Sequence, residues 1–230
     1  MTQLLRTSKK SIAIALIFSL LAFNSISQTT RFNLLVNAVT TNFNYGKSNN
    51  ALQSYKKNVT GVQLGASFQA GITPMFSIVT ETYFMMRGGT LKTDNPFTTN
   101  KSTIRLYTAE MPVLARFQLG RVYINSGPYV AHTFAGHLKT DGSQTIPEKS
   151  TNVSFTNTTD GFRRWEIGAQ AGAGFVFRIK KLHLALDARY VYGLTNISRD
   201  IERYNRALNI SLLLFKPWKK NPFGTNKNLL

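Results

Sequence analysis

The chain alternates apolar and polar side chains with a period of two, and this alternation is densest between residues 165 and 195. All eight odd positions from Trp165 to Ile179 are apolar, whereas Val176 is the one large apolar residue at the even positions. The alternation restarts at Leu182 after only two lysines. A period of two predicts strands with one apolar and one polar face, and strands joined this closely predict a tight hairpin.

The same alternation recurs along the chain and raises the number of predicted strands to eight. It is regular around residue 65 and around residue 113, and it weakens around residue 80. In the segment VYINSGPYVAHTF it does not decide which face points inward. The six additional strands are predicted over residues 31–43, 62–72, 76–87, 107–119, 122–134 and 204–215.

The predicted connections alternate between long and short. The long ones cover residues 45–58, 88–101 and 137–162, and 196–203 is intermediate, whereas only two residues join the strands at each opposite end. An even number of alternating strands, with short turns at one end and long polar loops at the other, is typical of outer-membrane barrels. We therefore predict an all-β fold, an eight-stranded antiparallel transmembrane up-and-down β-barrel.

In such a barrel the apolar face points to lipid and the polar face points inward, because backbone groups in lipid must all be paired within a closed sheet. An eight-stranded interior is filled by side chains, and glycines at 168, 172 and 174 would leave room for longer neighbours. The alternative is a soluble barrel with an apolar interior that binds a small ligand. The scarcity of lysine on the polar faces favours the membrane barrel.

The first 27 residues have the layout of a cleaved signal peptide. A basic stretch is followed by the apolar run SIAIALIFSLLAF and then by small residues, with cleavage predicted before Gln28. The apolar run is shorter than the roughly 20 residues of a membrane helix. The predicted organisation is a signal peptide over 1–27, a barrel over 28–216 and a basic periplasmic tail over 217–230.

The amino-acid composition excludes several kinds of site and indicates the charge of the partner. The chain has no cysteine, which excludes disulfides, thiol catalysis and a lipid anchor at the cleavage point. It has 28 basic and 10 acidic residues, and loss of the signal peptide removes three basic residues, which lowers the net charge from +18 to +15. An exported chain seldom meets nucleic acid, so we predict outer-membrane lipid, including lipopolysaccharide phosphates, as the anionic partner.

Seven charged residues fall on the predicted inward face. Because a lone buried ion is costly to desolvate, they are expected to pair in a polar network within the lumen. The network would be a structural plug or, alternatively, part of a gated proton or ion path. The seven residues are Glu81, Arg87, Glu110, Arg116, Glu166, Asp187 and Arg189.

A second group of cations lies in the predicted long loops. These residues are candidates for contact with lipid phosphates, and the alternative is an ordinary solvated loop surface. The group consists of Lys56, Lys57, Arg163, Arg199 and Arg203.

Nothing in the sequence predicts catalytic, cofactor-binding or metal-ligating residues, and no cofactor is expected. His183 and Asp187 are four positions apart on one strand, so about 13 Å separates them at ~3.3 Å per residue. His132 and His137 lie near a long loop, but no nucleophile motif accompanies them. The segment GAQAGAG lies within a strand and opens no helix, unlike a dinucleotide-binding loop.

Several segments resemble a PorT-like outer-membrane β-barrel family of Bacteroidetes, an outer membrane protein beta-barrel domain. They are LYTAEMPVLARFQL with VYINSGPYVAHTFAG, then FRRWEIGAQAGAGFVF, LDARYVYGLTNIS and YNRALNISLLLF. Glu166 departs from the aspartate of the family pattern, Thr108-Ala109 stands where a leucine is usual, and the basic tail is atypical. The resemblance implies an outer-membrane barrel and suggests protein partners of an export or cell-surface system.

The sequence thus predicts a small non-enzymatic outer-membrane barrel that is a structural or accessory component, with export or surface assembly as its setting. Three alternatives stay open. They are an outer-membrane lipid-modifying enzyme, a narrow pore and a soluble ligand-binding barrel.

Overall fold

The structure is a computed structural model that describes residues 30–73, 75–142, 147–159, 161–179 and 182–215. The predicted signal peptide and the predicted basic tail over 217–230 lie outside these residues. Within them, no helix has the length and apolarity needed to cross a membrane.

The described residues form ten strands and one short 3-10 helix, Asn50–Tyr55. Eight strands are long, and β2 and β7 are short additions in the loops. In chain order the strands are β1 (Thr30–Asn44), β2 (Lys56–Lys57), β3 (Val59–Gly71), β4 (Phe76–Leu91), β5 (Ser102–Leu119), β6 (Val122–Thr140), β7 (Lys149–Asn152), β8 (Trp165–Ile179), β9 (Leu182–Gly193) and β10 (Tyr204–Phe215).

The eight long strands form a closed antiparallel barrel. Each pairs with the next along the chain, and β10 returns to pair with β1, with Val36 opposite Leu212. No long strand is left with an unpaired edge, which is the condition for crossing lipid. The predicted eight-stranded up-and-down barrel is confirmed.

The outer surface of the barrel is apolar. Leu34 is 71% exposed and Phe84 is 62% exposed, as suits side chains in contact with lipid tails. The structure also decides the facing of β6, because Tyr123 and Tyr129 point inward and Ile124 points outward. The period-two pattern left this strand undecided because its tyrosines and aliphatic residues sit on opposite faces and are all large.

Two glycines of β8 make room for tyrosine rings of the adjacent strand β6 inside the lumen. A Cβ added at Gly168 would overlap the ring of Tyr129, and one added at Gly174 would overlap the ring of Tyr123. Glycine at these positions lets β6 tyrosines lie flat against the neighbouring strand. The lumen is therefore filled by side chains from its wall.

Three strands are longer than the alternation predicted. β4 runs to Leu91, β5 begins at Ser102 and β6 runs to Thr140, so parts of the expected loops 88–101 and 137–162 are strand. β7 pairs with the end of β6 and widens this wall. β4, β5 and β6 therefore project beyond the rest of the barrel at the end that carries the long loops, called here the long-loop end.

The projecting part begins at a band of outward-facing aromatic residues. Tyr107, Phe134 and Trp165 are 42%, 49% and 64% exposed, and the His132 ring lies 4.9 Å from that of Phe134 and 4.7 Å from that of Trp165. Such bands sit at the membrane–water interface. The strand segments beyond this band therefore stand in water.

Polarity inverts at the aromatic band. Below it, β5 points Met111 outward and Glu110 inward, whereas above it β5 points Arg105 outward and buries Ile104 and Leu106. In water the polar side chains must face out, so the apolar ones turn into the interior.

A β-bulge in β6 accompanies this inversion. Tyr107 pairs with Ala135 while Thr108 pairs with Thr133, so Phe134 is an extra residue on β6. An extra residue exchanges the two faces of the strand beyond it. Above the bulge, His137 is exposed and Leu138 lies against the apolar interior.

Candidate functional site

The upper part of the lumen holds an ion-pair cluster centred on Arg87 of β4. Its Nη1 donates to Glu110 Oε2 of β5 at 3.2 Å, and its Nη2 donates to Glu166 Oε2 of β8 at 2.6 Å. All three residues are buried. One guanidinium therefore joins two carboxylates across the width of the barrel.

Neutral donors complete this cluster. The Tyr83 hydroxyl donates to Glu110 Oε1 at 2.9 Å, and the Tyr129 hydroxyl donates to Glu166 Oε1 at 2.5 Å. The Gln170 side chain also donates to Glu110, and the Asn205 side chain also donates to Glu166. Two carboxylates face one arginine, so these donors share the excess negative charge.

A second ion-pair cluster lies lower in the lumen, around Arg189 of β9. Its Nη1 and Nη2 donate to the two carboxylate oxygens of Glu81 at 2.5 and 2.9 Å, which is the bidentate arrangement of strong arginine–carboxylate pairs. Its Nε lies 2.6 Å from Asp187 Oδ1. The Asn125 side chain donates to the other Asp187 oxygen at 3.2 Å.

Arg116 differs from the other six predicted network residues, because it faces the lumen without an ion pair among the described residues. Its Nη1 donates to Gln69 Oε1 at 3.1 Å, and its guanidinium lies 4.1 Å from the centre of the Tyr123 ring. The expectation that every lumen charge is paired is therefore wrong for Arg116. An amide and an aromatic face stabilise this cation in place of a carboxylate.

The long-loop end carries an apolar cluster that covers the barrel, called here the cap. It combines inward-facing residues of the projecting strands with residues of the loops that the sequence analysis expected to be polar. Its buried members are Phe43, Tyr45, Leu52, Leu91, Ile104, Leu106, Phe162 and Ile197.

Hydrogen bonds tie the loops of the cap to one another. Ser48 N donates to Glu202 Oε2 at 3.0 Å, and Glu202 N donates to Asn49 Oδ1 at 2.9 Å. Arg163 N donates to the Ile197 carbonyl at 2.9 Å. The loop after β9 therefore holds both the loop after β1 and the loop before β8.

Arg203 lies inside the cap, not on its surface. It is 6% exposed, and its guanidinium lies 4.9 Å from the centre of the Phe162 ring and 5.6 Å from that of Phe43. Burial lowers the pKa of Arg203 from its ordinary value, although the nearby Tyr45 opposes that shift. The prediction that Arg203 contacts lipid phosphates is wrong, because the aromatic rings enclose it.

The other predicted lipid-contact residues are on the surface. Lys57, Arg163 and Arg199 are exposed, and Lys56 is half-buried at the start of the two-residue strand β2. All four belong to the long-loop end. They can meet an anionic surface there without displacing any part of the cap.

A cavity of about 400 Å³ opens between the projecting strands and the loops of the cap. No periodic signal in the sequence indicates it. The only hint is the set of apolar residues scattered through loops that otherwise look polar, among them Phe97, Phe162 and Ile201. The lining includes Leu91, Ile104, Leu138, Phe162, Asp200 and Arg203.

His132 and His137 lie on the outer face of β6 and contact aromatic rings. His132 contacts Phe134 and Trp165, and His137 contacts Tyr107 with ring centres 5.9 Å apart, all on the outer face. The part of the chain that the structure describes contains no group of three or more acidic or histidine side chains that could hold a metal ion.

A family model described as outer membrane protein beta-barrel domain matches residues 26–199 of the chain. No curated protein matches the sequence. The family match covers all of the long strands except β10.

Three solved barrels are similar in fold. Ail, the attachment invasion locus protein of Yersinia pestis, solved with the heparin analogue sucrose octasulfate, is 12% identical with a TM-score of 0.45, covering 83% of this chain and 100% of its own. Neisserial surface protein A is 10% identical with a TM-score of 0.41, covering 81% and 97%. OprG from Pseudomonas aeruginosa is 9% identical with a TM-score of 0.38, covering 84% and 96%.

Proposed function

Since the chain belongs to the outer membrane protein beta-barrel domain family, we propose that it is a closed, non-enzymatic outer-membrane barrel that works through its long-loop end. Its setting is a cell-surface or protein-export assembly, in which it is an accessory component of the PorT-like type found in Bacteroidetes. The segments quoted from the sequence support this narrower assignment.

One observation carries the proposal. Ion pairs from Arg87 and Arg189 cross the lumen at two levels, and the cap covers the long-loop end. A filled lumen argues against a narrow pore and against passage of a substrate through the barrel. Among the described residues, the surface of the cap is the place proposed for contact with partners, because the hydrogen-bonded loops hold it in one shape.

The first test is affinity purification of the tagged protein from native outer membranes in mild detergent. We expect a partner protein in a fixed ratio to the barrel, because an accessory component is held in its assembly by a specific interface. A barrel recovered with lipid alone would contradict the accessory role.

The second test is conductance across a planar bilayer. We expect no discrete current steps from the refolded protein, because side chains fill an eight-stranded lumen. Steady single-channel steps would contradict the closed lumen and favour the narrow-pore alternative.

The exposed cations of the cap are proposed to contact lipopolysaccharide phosphates. Replacing Lys57, Arg163 and Arg199 with glutamine should weaken binding of lipid A by about 1 kcal/mol per lost charge. Binding is measured by titration of the detergent-solubilised protein with bisphosphorylated lipid A. Arg121→Gln, at the opposite end of the barrel, is the control for each single substitution, and an equal loss of binding at Arg121 would contradict the proposal.

A further inference from the structure

Three buried arginines lack an ion-pair partner among the described residues, and only one of them borders a sizeable cavity. Arg206 donates to the carbonyls of Gly193 and Asn205 at 2.8 and 2.7 Å. Arg116 borders a space of about 10 Å³, roughly the size of one water. Arg203 borders the cap cavity of about 400 Å³, which is within the range of small-molecule sites.

The guanidinium of Arg203 meets neutral partners. Its Nη1 donates to Ser198 Oγ at 2.9 Å and the Tyr45 side chain is a further partner, whereas its Nε is buried without a hydrogen-bond partner. Asp200 is the acidic residue of the lining; its Oδ1 accepts from the Ser198 hydroxyl and from Ile201 N, and no ion pair among the described residues joins it to Arg203. A buried guanidinium without an ion pair is stabilised when a ligand anion binds, because the oxygens of the anion accept its hydrogen bonds.

The backbone around Arg203 is held in place before any ligand arrives. Asn196 Oδ1 accepts from Ser198 N at 3.0 Å and from Arg203 N at 2.9 Å, and Asn196 Nδ2 donates to the Ile201 carbonyl at 3.1 Å. The Asn196 side chain thus holds the backbone of the loop in one conformation. A fixed loop lowers the entropic cost of binding at the cavity.

The remaining walls of the cavity are suited to an apolar group. Leu91, Ile104 and Leu138 come from the inner face of the three projecting strands, and Phe162 lies across from them in the cap. Polar residues that also line the cavity, such as Thr98 and Asn152, cannot neutralise a charge. The cavity therefore combines the cationic Arg203 with an apolar wall on the side of the projecting strands.

We propose that the cap cavity binds a small organic acid, with its carboxylate against Arg203 and an apolar or aromatic body against Leu91, Ile104 and Leu138. A single negative charge fits better than several, because Asp200 lines the same space. This site goes beyond the accessory role and does not depend on it.

The test compares an acid with its uncharged analogue on the full-length protein folded in lipid nanodiscs. The probes are 3-phenylpropionate and 3-phenylpropionamide, followed by calorimetric titration and by saturation-transfer NMR, with empty nanodiscs as the partition control. We expect the acid to bind about tenfold or more tightly than the amide, because only the acid pairs with the buried cation. Equal affinities, or no acid binding at ~5 mM, would overturn the proposal.

Variants locate the site. Arg203→Gln should weaken acid binding by about tenfold, whereas Arg199→Gln, an exposed arginine of the same loop, should change it by less than about twofold. Leu138→Trp, which fills the cavity from the strand side, should abolish binding while leaving Arg203 in place. Folding of each variant is checked by its heat-dependent electrophoretic mobility. Unchanged acid binding in either folded cavity variant would overturn the assignment.

Discussion

The transmembrane lumen and the cap are built from the same strands but reverse the placement of polar and apolar side chains. In the lumen, polar residues such as Gln63 and Glu110 are buried and residues such as Met111 face lipid. In the cap, Ile104 and Leu106 are buried and Arg105 is exposed. The medium outside the sheet, lipid or water, decides which side chains turn inward.

The two regions also stabilise buried arginine differently. Arg87 and Arg189 each meet two carboxylates, whereas Arg203 meets aromatic rings and the Ser198 hydroxyl. Arg116 shows that the lumen also holds a guanidinium without a carboxylate, on the Gln69 amide and the Tyr123 ring. Above the membrane a cation can be held by ring faces and still be offered to a ligand.

The largest expected effect comes from removing the central arginine of the lumen. Arg87→Met leaves Glu110 and Glu166 buried near each other without their shared cation, and it should lower the free energy of unfolding by about 3–5 kcal/mol. Urea titration of the barrel in lipid vesicles measures this change.

Arg121→Met, in the exposed turn between β5 and β6, is the control and should stay within about 0.5 kcal/mol of the parent. A change below about 1 kcal/mol in Arg87→Met would show that the network is not needed to hold the lumen.

A smaller change in the free energy of unfolding is expected from exchanging polar and apolar residues on the outer face of β5. Met111 and Arg105 lie on this face six residues apart, about 20 Å at ~3.3 Å per residue. Met111→Arg should lower the free energy of unfolding in vesicles by about 2–4 kcal/mol, because it places a charge in the hydrocarbon. Arg105→Met, above the aromatic band, should have almost no effect. Similar costs at both positions would mean that the band does not mark the interface.

The smallest effect on the whole protein should come from loosening the cap. Phe162→Ala should lower the free energy of local opening of the cap by about 2 kcal/mol. This is less than is usual for a buried phenylalanine, because one side of the ring borders the cavity. We expect faster tryptic cleavage at Arg199 and Arg203, with an unchanged urea midpoint for the barrel. Phe97→Ala, at a side chain that is 58% exposed, is the control for cleavage. A shifted barrel midpoint would show that cap and barrel unfold together.

Much of the transmembrane part could be predicted from sequence, because lipid imposes strict alternation. The predicted last strand, residues 204–215, coincides with β10 (Tyr204–Phe215), and Glu81, Glu166 and Arg189 lie on the inward face expected for them. The same rule failed above the aromatic band. There the outward residues Arg105 and Lys139 are polar, so the alternation appeared to end and the strands were predicted too short.

The candidate cavity was not predictable for a different reason. Its parts come from widely separated stretches of the chain, including Tyr45, Leu91, Leu138, Phe162 and Arg203, and no local period links them. Arg203 also has no local feature that separates it from the exposed Arg199. Only the packing of Phe43 and Phe162 around its guanidinium makes the distinction.

The bulge at Phe134 lets the two halves of β6 change independently of each other. Because this extra residue sets the phase of everything beyond it, Leu138 can line the cap while Tyr129 and Thr133 keep their places in the lumen. Substitutions beyond the bulge can then change what the cap recognises without altering the membrane anchor. Deletion of Phe134 would leave Ala135 opposite Tyr107 in a regular ladder, so His137 would stay outward, whereas one residue inserted after Ala135 would turn His137 and Lys139 toward the interior.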